Sequence, residues 1–182
     1  MGTQAITNPL RLEIMKRICD ALREITPANG YVSDFSGAEG TSDNRVFRGR
    51  AVFGSTDPVP MLSVLETPIP LDQIPAPSDS AYSSGGWEIM VQGFIEDDKE
   101  NPTDPAYVAL ADVKQRLATE REKVGAQFAQ QGPFGLGNEV VGISIGTGVC
   151  RPPDEISAKA YFWLLIVLDI AEDMSRPYVV KT

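Results

Sequence analysis

The stretch EDDKENPTDPAYVALADVKQRLA, residues 96–118, carries five carboxylates in nine positions: Glu96, Asp97, Asp98, Glu100 and Asp104. Carboxylates this dense can hold a hard cation, divide into an acid/base pair, or shape a surface. Calcium loops set their ligands at alternate positions around a sharp glycine turn. Here that spacing is missing, and Pro102 stands where such a loop would bend. An acid/base pair needs two carboxylates in contrasting environments, and nothing in this stretch signals burial. The pattern reads best as a helix start, with Asp104 as N-cap, Pro105 at the first helical position and the preceding acids favoured by the helix dipole. The chemical alternative is a metal-dependent hydrolase using Asp97, Asp98 and Asp104.

Other chemistry is sparse. The chain has no histidine, which removes the commonest general base near neutral pH and the commonest metal ligand. The glycine-rich run GPFGLGNEVVGISIGTG matches neither GxGxxG nor GxxxxGK[ST], so a phosphate cradle is not indicated. A nucleophilic serine would need lysine as its base, and no Sxx-Lys pattern occurs. Cys19 and Cys150 form no CxxC, and read as buried thiols rather than a bridge. Arg48 and Arg50, spaced by two on a predicted strand, could pair with carboxylates of another subunit; a solvated strand face explains them equally well. No cofactor or metal is expected.

The 182 residues suffice for one domain with a real core, taken as residues 1–182. Hydrophobic content of 42% and charged content of 23% suit a globular protein, and the net charge of −9 is spread over both halves. No basic face is evident, so tight phosphate neutralisation is not expected. The opening MGTQAITNPL lacks a signal-peptide pattern, and Ile6 breaks the myristoylation pattern. The longest apolar run, residues 160–168, ends at Asp169, well short of the roughly 20 residues a membrane span needs. A soluble protein made in the cytoplasm is expected.

Periodicity places the elements. A first helix starts at Asn8-Pro9, with Leu10, Ile14, Ile18, Ala21 and Ile25 on its buried side, and stops at Thr26-Pro27 and Asn29-Gly30. Residues 34–44 read as an exposed loop. Period-two alternation predicts a strand over 45–54. MLSVLE, residues 61–66, reads as a second strand, with STDPVP as the turn between them, and residues 87–96 read as a third. A second helix carries the stripe Leu110, Val113, Leu117 and Val124, with Tyr107 and Ala111 beside it, ending near residue 125. VVGISIGTGVC, residues 140–150, alternates one apolar and one nearly bare face. AKAYFWLLIVLDIAE, residues 158–172, is apolar on both faces and reads as a strand buried on both. Residues 67–86 and 127–138 form long irregular connections. The expected fold is α+β: a mainly antiparallel β-sheet with two α-helices packed on one face and long loops.

Several short motifs occur in a recognisable order: ITPANGY (25–31), VFRGRAVFG (46–54), PVPMLSVLE (58–66), WEIMVQGF followed by DD (87–98) and NPTDPAYVALADVKQRL (101–117). This ordered set resembles the tail terminator (tail completion) proteins of long flexible-tailed bacteriophages, best over residues 25–117. The resemblance implies a small α+β fold and a six-membered ring on the head-proximal end of the tail tube. There the ring stops polymerisation of the tube protein and offers a docking surface to the head and neck connector proteins. It implies no catalysis, and a location in the virion after assembly in the host cytoplasm. Genome DNA would pass through without specific binding, which the net charge of −9 fits.

A ring subunit needs two different surfaces, joined head to tail. Arg48 and Arg50 facing a neighbour's Asp97, Asp98 and Glu100 would supply one such contact, and the two long loops would serve contacts along the tail axis. Competing readings are another head–tail connector or minor tail protein, the metal-dependent hydrolase, and a monomeric adaptor domain.

Overall fold

The computed structural model describes residues 8–54, 56–68, 80–124 and 131–178. The first helix, α1, spans Leu10–Arg23 and buries Leu10, Ile14, Ile18, Cys19, Ala21 and Leu22, the one-sided set that i, i+4 spacing dictates. Asn8 does not cap it: the N-cap position is Pro9, no side chain bonds the first turn, and Asn8 Nδ2 instead donates to Glu13 at 2.9 Å. The expectation was one residue too early, because Pro9 itself remains extended (ψ 147°). The helix ends at Arg23, before the expected stop at Thr26-Pro27 and Asn29-Gly30, so Ile25 is buried beyond it. A separate 3-10 turn at Pro27–Asn29 then ends on Gly30 at φ +86°, where a left-handed residue closes the turn. The loop at 34–44 is irregular, although Phe35 plugs into the core.

Strand β1 covers only Val46–Arg48 and β2 covers Met61–Glu66. Two corrections follow. The strand predicted over 45–54 stops at Gly49, whose φ of +71° leaves the extended region. And β1 pairs with β2 in parallel, Val46 beside Leu62 and Arg48 beside Val64, so the chain between them cannot be a hairpin turn. Strand β3 runs Tyr82–Ile95, starting five residues earlier than expected, so part of the predicted 67–86 connection is strand. Residues 69–79 of that connection lie outside the described residues.

The second helix, α2, spans Asp104–Arg121 with Thr103 at the N-cap. Asp104 is its first helical residue and makes no side-chain cap, which corrects the expected role. The helix ends at Arg121, and Tyr107, Ala111 and Val124 are exposed. Three charged residues, Asp112, Arg116 and Glu120, take up the buried face instead. Strands β4 (Val140–Ile145), β5 (Val149–Arg151) and β6 (Ala160–Asp173) follow. The single strand expected over 140–150 is thus broken at residues 146–148. A bulge between Val140 and Gly142 turns Val140 inward and leaves Val141 exposed, because one extra residue reverses the alternation.

The sheet order is β1-β2-β3-β6-β4, with β5 also pairing β6, on the same side as β4 but nearer the start of β6. All pairs but β1–β2 are antiparallel. The spine is the β3–β6 pair, in register from Tyr82–Asp173 to Ile95–Ala160. Both helices and one face of the sheet share a single apolar core, the α+β architecture the periodicity predicts. Residues 131–139, expected to be part of a flexible connection, are pinned by buried Phe134, Leu136 and Glu139; residues 125–130 lie outside the described residues.

Candidate functional site

The acidic stretch does not converge. Asp98 Oδ1 accepts the backbone N–H groups of Glu100 and Asn101, both at 2.8 Å. Those bonds, Asn101 first and Glu100 next, hold its carboxyl below the usual range. Glu96 pairs with Lys159, and Asp97 lies 3.9 Å from the same ammonium. Among the described residues no group of three or more His, Cys, Asp or Glu side chains is placed to hold a metal ion. The stretch is a surface turn, clamped by its own backbone and by Lys159.

The arginines are likewise occupied within their own chain. Arg48 pairs with Glu39. Arg50 pairs with Asp57 and lies over the Phe47 ring, 3.8 Å from its centroid. The two do not share a strand face, because Gly49 ends β1 between them. They are not brought together with Asp97, Asp98 or Glu100 in one subunit.

The unusual surface is the sheet face opposite the helices. Pairing fixes which side chains it carries, since residues in register share a face. One end is bulky. Phe53, from the β1–β2 connection, stacks on Phe94 at 5.3 Å between ring centroids; Phe94 stacks on Tyr161 at 6.2 Å; Tyr161 meets Trp163 at 5.3 Å. Met61 completes this small second core. The Tyr161 hydroxyl donates to Asp154 Oδ2 at 2.7 Å. Burial first and then Asp154 push the phenol pKa up, while Tyr161 and the Ile156 N–H hold the Asp154 carboxyl down.

Beyond the aromatic row the face is open. Leu65 and Met90 are half-buried, Leu165 is 42% exposed and Val149 54% exposed. Gln92 is buried among them, and its Oε1 lacks a hydrogen-bond partner. The far end is bare, with Gly86 beside Asp169 and Gly142 on its other side. This corrects the expectation that residues 158–172 are buried on both faces. Tyr161, Leu164, Ile166 and Leu168 are buried, but Trp163, Val167 and Leu165 sit on a face that the described residues cover only in part. The two-sided apolar sequence of β6 was the available signal; the missing cover is what the sequence did not show.

Cys19 and Cys150 are free thiols. Cys19 is fully buried, and burial pushes its pKa up to about 11. Since the thiolate is the reactive form, native protein treated with iodoacetamide at pH 8 should leave Cys19 unmodified for as long as the fold holds, and denaturation should expose it. Mass spectrometry of the labelled peptides reads this directly; rapid native labelling of Cys19 would contradict its placement.

Among the described residues no helix is long and apolar enough to cross a membrane. Comparison with known protein families finds no family model that matches this chain, and comparison with curated proteins finds no match.

Proposed function

We propose that this chain is a structural assembly subunit, and specifically a tail terminator of a long flexible-tailed bacteriophage. In that role it forms a homo-oligomeric ring, a hexamer, on the head-proximal end of the tail tube. The ring stops addition of tube protein and presents a docking surface to the head and neck connector, and DNA passes through without specific binding. The observation that carries the assembly reading is the uncovered apolar sheet face around Leu165. A strand whose sequence is apolar on both sides gains the burial it is built for only when another surface covers it. The ordered motifs between residues 25 and 117 narrow assembly to the tail terminator class, and the virion is the proposed location.

The test is to add the purified chain to polymerising tail tube protein. Capped tubes of reduced length, carrying this chain at one end by immunogold labelling, are the expected result. Tubes of unchanged length with no bound chain would overturn the tail terminator reading. The hydrolase alternative gains nothing from the geometry, since Asp97, Asp98 and Asp104 are not gathered into one site.

A further inference from the structure

We infer that the open sheet face binds a second copy of itself, back to back, across a two-fold axis running perpendicular to the strands through the Leu65–Met90–Leu165 row. The register supplies the reason. Counting along β6, the Tyr161 row and the Asp169 row lie equally far from Leu165 on either side, as do the Trp163 and Val167 rows. A rotation about that row therefore lays the bulky end of one face on the bare end of the other. The aromatic ridge capped by Phe53 meets the row of Gly86, Asp169 and Gly142, in which Asp169 alone carries a side chain.

Charge follows the same pattern. Arg151, exposed on β5 in register with Tyr161, marks the bulky end. Glu88 and Asp169, exposed at the bare end, make no ion pair among the described residues. The rotation keeps each strand over its own counterpart, so β5 of one copy falls above β4 of the other. Arg151 then lies over Gly142, beside the Asp169 carboxylate, which leans across that glycine. An isologous contact must be self-complementary in this way, and this face complements itself in shape, apolarity and charge.

Size is adequate. From β3 across to β4 and β5, over the rows between Tyr161 and Asp169, strand spacing and rise give a flat footprint of roughly 400 Å², to which β2, ending at the Ile166 row, adds its Leu65 end. Standard interfaces take about 800 Å² of accessible surface per partner, and accessible surface exceeds footprint because side chains stand off the sheet. The sheet edges suit pairing less well. β4 carries a bulge and β1 is three residues long, both features that discourage edge-to-edge addition.

The test is molar mass by light scattering and sedimentation, over a concentration series of the full chain. Wild type is expected at twice the unit it associates from: two chains, or twelve where six-membered rings also form. Leu165→Arg should halve that mass, and its far-UV spectrum should stay native, because the side chain is already partly exposed. Arg151→Asp and Asp169→Arg should each weaken the association about tenfold or more, and the combined swap should restore it. A wild type that stays monomeric at all concentrations overturns the inference, even if Leu165→Arg then blocks binding to tube protein. A six-membered ring whose mass ignores Leu165→Arg and the charge swap also overturns it, while leaving the ring reading standing. Tube capping without doubling separates the two in the same way.

Discussion

Replacing Glu120 by Ala should cost about 3–5 kcal/mol of folding stability, the range for breaking a buried ion pair from one side. Glu120 is almost wholly buried, and it ties three elements together. Its Oε1 receives Arg116 and Lys123, each at 2.7 Å, and its Oε2 accepts the N–H of Phe134 at 2.8 Å. Arg116, itself buried, reaches on to Glu24 at the end of α1 at 2.7 Å. Removing the carboxylate leaves a buried guanidinium short of charge and the Phe134 amide without its acceptor, so the residue 131–139 turn loses its anchor. Equilibrium urea unfolding of wild type and variant at pH 7 measures the loss. A change below 1 kcal/mol would mean that α2 does not clamp that turn.

The same carboxylate sets an acid limit. Burial alone would raise its pKa, but the bonds from Lys123, Phe134 and Arg116 together outweigh burial and hold it below the ordinary value of 4.5. A depressed native pKa means that the unfolded chain binds its proton first as pH falls. The stabilisation is therefore complete above about pH 4.5 and disappears as pH drops through the native value. Glu120→Gln, which never ionises, should be less stable than wild type at pH 7 and approach it at low pH. Parallel stability curves across that window would contradict this.

Phe162→Ala should cost a further large amount, about 3–5 kcal/mol, as deletion of a fully buried aromatic ring does. The geometry adds a sharper expectation. Gly93 is paired with Phe162 across β3 and β6, and the ring lies over the glycine; a Cβ there would fall 2.1 Å from ring carbon Cε1. Gly93→Ala alone should therefore destabilise by about 1–3 kcal/mol through overpacking. In the double variant the methyl enters space the ring has left. The combined cost should fall short of the sum by about 0.5–3 kcal/mol. Strict additivity in the urea midpoints would show that the ring and the glycine do not share that space.

Much of the fold was legible because it follows from local periodicity. The alternation around β1 and the unbroken apolar run of β6 marked strands. The Leu10–Ile14–Ile18 spacing marked α1, although the helix ends at Arg23, ahead of the expected stop at Thr26-Pro27 and Asn29-Gly30. Errors fell where one residue decided the outcome against the pattern. Gly49 stopped β1, the Val140–Gly142 bulge turned Val141 outward, and Pro9 and Thr103 took the cap positions assigned to Asn8 and Asp104. The buried Asp112, Arg116 and Glu120 were illegible for another reason. A charged residue on a helix reads as solvent-facing unless its partners are known, and Glu24, Ser33 and Phe134 come from distant segments.

By itself, then, the sequence determined where the two helices and the main strands lie, the α+β class, and the scarcity of reactive side chains, since these depend on composition and on spacing along one chain. The tertiary structure alone decided that β1 runs parallel to β2, that the acids of residues 96–104 do not converge, and that one side of β6 is left open around Leu165. Those facts depend on which segments meet in space. An apolar strand carries the same signal whether a helix or another molecule covers it, and only the packed chain shows which face its own helices leave uncovered.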